Sequence, residues 1–359
     1  MKLLIVTQTI DRSDDLLGFM DGWIKEFAKH CQRVTAIGLG VGAHEYPDNV
    51  HVLSLGKENG GSRSQYTRKF LRYVVQERKN YDVVFVHMNP EYVVLGGPLW
   101  KLMGKKIGLW YAHGQSSRML RAAHQMTDLV FTTNTEGFSI PSPKRRIVGH
   151  GIDCERFSIA KRGSRKPFRV LTVGRISPIK DLETLVRAFA ELSGSAVLEI
   201  VGAPALRQDR GYLESLKRLT AQLSIIDRVH FLGSIPNDAL QPIYARADLF
   251  VNTSRTGSFD KTVGEAMATG FPVLTSNPAF REVLPKHAAR LMFDPGDSSG
   301  LLRRMKELSE MSIAERKALG LELRTIVEEE HSLSTLASRV LAHYAPLSSS
   351  VKCNTSDPI

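Results

Sequence analysis

Short runs rich in Val, Ile and Leu alternate with amphipathic stretches along almost the whole chain, and this alternation restricts the fold more than any other feature. In the first half the runs are KLLIVTQ, RVTAIGL, VHVLSL, DVVFVHM, IGLWYAH and DLVFTTN. Beyond residue 167 they are FRVLTVG, AVLEIVG, VHFLG, DLFVNTS, FPVLTSN and ARLMFD. Near-continuous apolar runs of this length suit strands buried on both faces of a parallel sheet. The stretches between them read as helices. In DLETLVRAFAEL the residues Leu182, Leu185, Val186 and Phe189 share one face, with Asp181 placed to cap the first turn. GFMDGWIKEFAKH does the same with Phe19, Trp23, Ile24 and Phe27. Strand and helix in alternation predict an α/β class of fold with doubly wound sheets.

The pattern runs twice. It restarts at Phe168 after SIAKRGSRKP, a basic stretch poor in apolar residues that reads as a linker. A chain of 359 residues is long enough for two domains, each with its own core. The sequence therefore predicts an N-terminal Rossmann-like domain over 1–160 and a second over 161–335. A terminal helix over 336–346 is expected to pack back across the domains, followed by a disordered tail over 347–359. The apolar opening is cut short by DRSDD, so it predicts a first strand and not a secretory leader. The longest apolar run, Tyr92 to Trp100, is far short of the ~20 residues of a membrane span. Cys31, Cys154 and Cys353 are scattered and odd in number, which fits a reducing, cytoplasmic setting better than a disulfide framework or zinc site.

Charge adds a partner class. The formal net charge is +11, and residues 1–150 carry 20 Lys and Arg against 13 Asp and Glu. The excess gathers in SRSQYTRKFLRYVVQERK, WKLMGKK and SPKRRI. In the first of these, Tyr66, Phe70, Tyr73 and Val74 fall at helical spacing, with Arg68, Lys69, Arg72, Arg78 and Lys79 around them. Such a surface favours an anion: a phosphorylated substrate or anionic lipid at the inner face of a membrane. No nucleic-acid motif accompanies the charge, so nucleic acid is not expected as a partner.

Two segments carry chemistry. In VLTVGRISPIKDLETLVRAF a strand ends at Gly174, Arg175 follows, and Lys180 precedes a helix start. Two cations at a strand's carboxyl end, beside helix N–H groups, can hold a pyrophosphate. In VNTSRTGSFDKTVGEAMATGFPVLTSN a Ser/Thr/Gly-rich loop leads into a helix near Thr262, a second cradle for an anion. Glu265 is expected in that helix's first turn, where it would either interact with the helix dipole or hydrogen-bond a ribose.

Together these segments resemble the donor-binding signature of the retaining glycosyltransferases of family four, which have the GT-B fold. HGIDCERF, VHFLGSIPNDAL, YARADLFVNTS and REVLP agree in order and spacing. The resemblance covers residues 140–345 most fully and is thinner before them. It implies that Arg175 and Lys180 bind the donor phosphates and stabilise the departing diphosphate, and that Glu265 holds the ribose. It implies donor contacts from Gly174 and from the loop Gly257, Ser258, Phe259, Asp260, Lys261, Thr262 and Val263. Ile235 would meet the base through its main chain, His113 would touch the donor sugar, and Gly18 would be the close-approach glycine of the first strand–helix loop. The family's first glutamate position is occupied by Gly257, and Asp260 is the nearest substitute.

The implied activity is hexosyl transfer, with retention, from a UDP- or GDP-sugar to the hydroxyl of a sugar or lipid-linked acceptor. No DxD triplet occurs, so cations are expected to replace a metal, and no cofactor is expected. Two alternatives use the same fold: a sugar-nucleotide 2-epimerase, and a weakened sugar-nucleotide or anion-binding protein.

Overall fold

A computed structural model of the chain describes residues 1–14, 17–159, 167–192 and 195–345. The linker and tail expected from the sequence fall, for the most part, outside these residues. Strands β1 (Lys2–Ile10), β2 (Arg33–Val41), β3 (Val50–Ser54), β4 (Val83–His87), β5 (Lys106–Trp110), β6 (Leu129–Thr132) and β7 (Arg145–Ile147) form the first sheet. The second holds β8 (Arg169–Val173), β9 (Val197–Val201), β10 (Val229–Gly233), β11 (Leu249–Asn252) and β12 (Val273–Thr275). Helices α1 (Phe19–His30), α2 (Arg63–Gln76), α3 (Pro90–Leu102) and α4 (Arg118–Met126) serve the first sheet. Those of the second begin with α5 (Leu182–Ala190), α6 (Arg210–Gln222), α7 (Gln241–Ala245) and α8 (Lys261–Ala268). There follow α9 (Phe280–Val283), α10 (Ala288–Leu291), α11 (Ser298–Glu310), α12 (Ile313–Ile326) and α13 (Leu333–Tyr344).

Every strand pair is parallel. The strand orders are 3-2-1-4-5-6-7 and 10-9-8-11-12. Both sheets are therefore doubly wound, reversing direction between β1 and β4 and between β8 and β11. Two apolar clusters sandwich the first sheet and one continuous cluster fills the second half. Leu182, Leu185, Val186 and Phe189 are all buried in the latter, as α5's period predicts.

Three local expectations are corrected. ARLMFD is not a strand: Ala288–Leu291 is a helical turn, and Met292 makes a single bridge to Thr275. Conversely, RRI at 145–147 pairs with β6, although two adjacent arginines hide the strand signal. Asp181 occupies the N-cap position of α5 but caps no backbone N–H. Its carboxylate accepts instead from the Thr184 hydroxyl and from Arg255, a longer-range partner that sequence spacing does not reveal.

After α12 a π-helical turn, Val327–His331, leads into α13, which returns to the first half and packs on α1. Tyr344 at its end donates to the Val84 carbonyl at 2.7 Å inside the N-terminal core. No helix among the described residues is long and apolar enough to cross a membrane.

Aromatic rings join the halves. Phe259 lies 5.1 Å from the His150 ring, 4.8 Å from His331 and 4.8 Å from Phe280, centroid to centroid. His150 meets Trp110 at 5.7 Å, and Trp110 stacks on His87 at 5.2 Å. All three histidines are buried, and burial lowers their pKa values to about 3 for His87, about 3 for His150 and about 4 for His331. Unfolding releases them to the ordinary value near 6.5, so below that pH the unfolded chain binds more protons than the folded one. Their contribution to stability is complete above about pH 6.5 and is lost as pH falls towards 3–4. Thermal melts should thus show a midpoint that declines through this window. His150→Phe, which keeps a ring in the cluster, should flatten the decline; an unchanged slope would remove His150 as its cause.

Candidate active site

Parallel strands place all their carboxyl ends on one side, and ligands bind beyond them where the strand order reverses. Here the two reversal points face each other. Between them lies a cavity of about 590 Å³ whose walls include Gly18 and Phe19 after β1, Gly174 and Arg175 after β8, and Lys180. Asp260, Lys261, Thr262 and Glu265 at the start of α8 close it, with Ile235 after β10.

Two glycines are required here by the backbone. A Cβ on Gly18 would stand 2.6 Å from the Asp14 carbonyl oxygen, so α1 can begin this close to the loop only with glycine. Gly202, at φ 138°, lies against the Gly174 carbonyl, where any side chain would collide. The loops after β8 and β9 are thereby packed together and leave their backbone open to the cavity.

Lys180 sits in a short 3-10 turn just before α5. Its ammonium pairs with Asp260 at 2.5 Å and reaches the Ser254 hydroxyl at 3.4 Å. Asp260 in turn accepts from the amides of Asn252 at 2.9 Å and Asn277 at 3.3 Å. Arg175 is exposed at the cavity edge, and among the described residues it makes no hydrogen bond or ion pair. One cation is thus fixed and the other available.

Glu265 does not lie in the first turn of α8, because the helix begins at Lys261. One turn further on it is 1% exposed, so the helix dipole gives way to specific partners. Tyr244 donates to it at 3.0 Å, the Asn237 amide at 3.2 Å, and Lys261 pairs with it at 3.0 Å. Burial and this carboxylate raise the Tyr244 pKa well above its ordinary value, keeping the phenol a donor. The Lys261 ammonium also lies 4.6 Å above the Phe19 ring, a cation–π contact across the cleft.

Not every residue expected at the site reaches this cavity. Val263 is buried beneath it, and Phe259 belongs to the aromatic cluster between the halves. The Ser258 carbonyl accepts from Asn277. His113 is exposed, its Nδ1 3.3 Å from the Gln115 amide. Gly257 stands against Glu136 of the N-terminal half, which also neighbours Gly114, the residue after His113. A Cβ on Gly257 would be 3.9 Å from that of Glu136, and a Cβ on Gly114 3.2 Å from its carbonyl. Asn237, Tyr244 and the Gly202–Pro204 loop were missed from sequence. Gly202 ends VLEIVG as Gly174 ends FRVLTVG, so the strand-end rule could have found it. Tyr244 has no local signal. Among the described residues no His, Cys, Asp and Glu side chains gather in a group that could hold a metal.

The Lys180–Asp260 pair carries a stability consequence. Both side chains are only 15% exposed, so Lys180→Ala leaves a partly buried carboxylate short of a partner. A loss of ~1–3 kcal/mol is expected in urea unfolding. Lys180→Ala/Asp260→Asn should recover part of it, whereas equal losses in single and double variants would show the pair to be energetically idle.

Comparison with known proteins bears on the family and the fold. The family model described as glycosyl transferases group 1 matches residues 155–322. D-inositol 3-phosphate glycosyltransferase of Mycolicibacterium smegmatis is 36% identical over 138 residues, 36% of this chain and 31% of that one. A GDP-mannose-dependent phosphatidylinositol monomannoside mannosyltransferase of Mycobacterium tuberculosis is 29% identical over 157 residues, 38% of this chain and 39% of that one. The matched segments thus span about a third of the relatives' own length, or somewhat more. Whole-chain likeness comes from solved structures and concerns the fold. HepE of Anabaena, in complex with UDP, superposes with TM-score 0.77 at 19% identity, covering 96% of this chain and 99% of its own. Sucrose-phosphate synthase of Thermosynechococcus elongatus gives 0.76 at 17%, covering 96% and 98%. Residues 155–322 thus resemble the group 1 glycosyl transferases, and the two facing sheets have the GT-B fold.

Proposed function

We propose that the protein is a retaining, metal-independent glycosyltransferase that moves a hexosyl group from a UDP- or GDP-sugar to an acceptor hydroxyl. The observation that carries the reading is the cavity at the facing reversal points, cationic at one end through Arg175 and Lys180 and closed at the other by Glu265. Its size, about 590 Å³, suits a nucleotide sugar. On this reading the Glu265 carboxylate, which lines the cavity and is held by Tyr244 and Asn237, would accept from ribose hydroxyls, with the base beside Ile235.

The chemistry asked of the site is electrostatic. The bond from the anomeric carbon to the diphosphate oxygen breaks, and its electron pair leaves with the diphosphate. The acceptor oxygen bonds to the same face of the carbon, and its proton passes to the departing phosphate. Arg175 and Lys180 stabilise the charge that develops there, the role that a metal ion plays elsewhere. Relatives whose names specify inositol 3-phosphate and a phosphatidylinositol mannoside support a sugar or lipid-linked acceptor. Wholesale conversion of the donor without acceptor, as a 2-epimerase would show, is not expected.

Two outcomes test the reading. UDP or GDP should raise the melting temperature equally with and without EDTA; a shift abolished by chelation would contradict the metal-independent site. Arg175→Ala, a change at an exposed side chain without a protein partner among the described residues, should melt normally yet transfer at least ~100-fold more slowly. Near-parental turnover would put the phosphates elsewhere.

A further inference from the structure

A second cavity, of about 340 Å³, opens on the N-terminal half between the loop after β3 and helix α2. Its walls include Gly56, Asn59, Tyr66, Arg68, Lys69 and Arg72. None of these residues takes part in the donor cavity. The pocket nevertheless lies on the same side of the sheet, because β3 runs parallel to β1 and the loop follows its carboxyl end.

The charge of the pocket is one-sided. Buried Phe70 and Val74 fix α2 against the core. Residues 65, 68, 69 and 72 then share the helix face turned towards the loop. Arg68 and Arg72 are four residues apart and Lys69 and Arg72 three, so these like charges repel one another. Among the described residues none of the three forms an ion pair. Glu58 faces Lys69, but its oxygens accept from the Ser54 hydroxyl at 2.5 Å and the Val41 amide at 3.2 Å, and it forms no ion pair with Arg68 or Arg72. Against the cost of burial, these bonds and then the Lys69 charge hold its carboxyl below the ordinary value. Gly56 has φ 98°, and a Cβ there would come within 3.0 Å of the Lys69 ammonium. The loop thus bends in a left-handed turn directly under a cation. A capping box between Ser62 and Gln65 fixes the start of α2 beside it.

Like-charged side chains gathered around a concave pocket make it a favourable place for an anion. From this juxtaposition we propose that the β3–α2 pocket binds a phosphate monoester, the phosphate being that of the acceptor. Its use as an acceptor anchor rests on the transferase reading; the anion site itself does not. The phosphate could belong to a lipid headgroup or to a soluble sugar phosphate, since three cations and a tyrosine recognise the same group in either.

The test compares the full-length protein with Arg68→Ser/Arg72→Ser and with Arg68→Lys/Arg72→Lys, all three in excess UDP and GDP so that the donor cavity does not compete. Glycerol 3-phosphate serves as the soluble probe, by calorimetry. Vesicles of phosphatidylcholine and phosphatidic acid in equal parts serve as the lipid probe, by co-sedimentation. The parent should bind at least one probe, the serine variant about 10-fold or more weakly, and the lysine variant within a few-fold of the parent. Binding should also weaken as salt rises. Sedimentation of the parent with these vesicles but not with phosphatidylcholine alone assigns the phosphate to a lipid; binding of glycerol 3-phosphate alone assigns it to a soluble acceptor. UDP affinity, followed in parallel, should be the same in all three proteins. A parent that binds the phosphate probe but neither UDP nor GDP would sink the donor reading and leave this site standing. The proposal is overturned if the parent binds neither probe, or if the serine variant binds as the parent does.

Discussion

In a parallel sheet successive strands run the same way, so each must be joined to the next by a crossover that climbs back along one face. All turns that lead out of the sheet then collect at one edge, and the helices that follow present their N–H groups there. This chain meets that constraint twice, with both reversal points turned towards a common space. The position of the site follows from the strand directions before any side chain is considered. What the side chains add is its polarity: Arg175 and Lys180 on one strand–helix connection, and Glu265 on another.

The two halves are not independent bodies joined at one point. α13 carries the chain's last described turn back into the N-terminal core, where Tyr344 bonds to β4. The rings of His87, Trp110, His150, Phe259 and His331 make a continuous buried path between the sheets. Neutral histidines suit such a place because they pack as aromatic rings; among the described residues none of the three forms an ion pair that would hold a charge there. Phe259 is therefore part of the joint, although the resemblance places it among the donor-loop residues.

Much of this was legible in the sequence. Apolar runs give the strands wherever a strand is buried on both faces, which is why β1, β4 and β8 were plain and β7, carrying Arg145 and Arg146, was not. ARLMFD misled for the converse reason: it is apolar because it packs beneath β12, and burial alone does not distinguish a helical turn from a strand. The cations were legible because they stand at fixed distances from a strand end. Their partners were not. Asp260 lies 80 residues from Lys180, and Tyr244 is 21 from Glu265, so only the folded chain brings them together.

The loop before α8 shows what a missing carboxylate implies. Gly257 stands where the resemblance expects a glutamate, and Asp260 is the acid nearest in sequence. Asp260 is however committed: a lysine and two asparagine amides occupy its oxygens, and it holds the Lys180 ammonium in a fixed position. To turn it towards a sugar hydroxyl would release that ammonium and strip both amides of their acceptor, an exchange that one neutral hydrogen bond does not offset. The fixed carboxylate thus belongs to the cationic end of the cavity, where it holds the Lys180 ammonium in place. The rim beside Gly257 is left without a side chain of its own, and the residue that faces it, Glu136, comes from the opposite half of the molecule. Recognition of whatever lies at that rim is thereby tied to the distance between the halves, which a glutamate on the loop itself would not require.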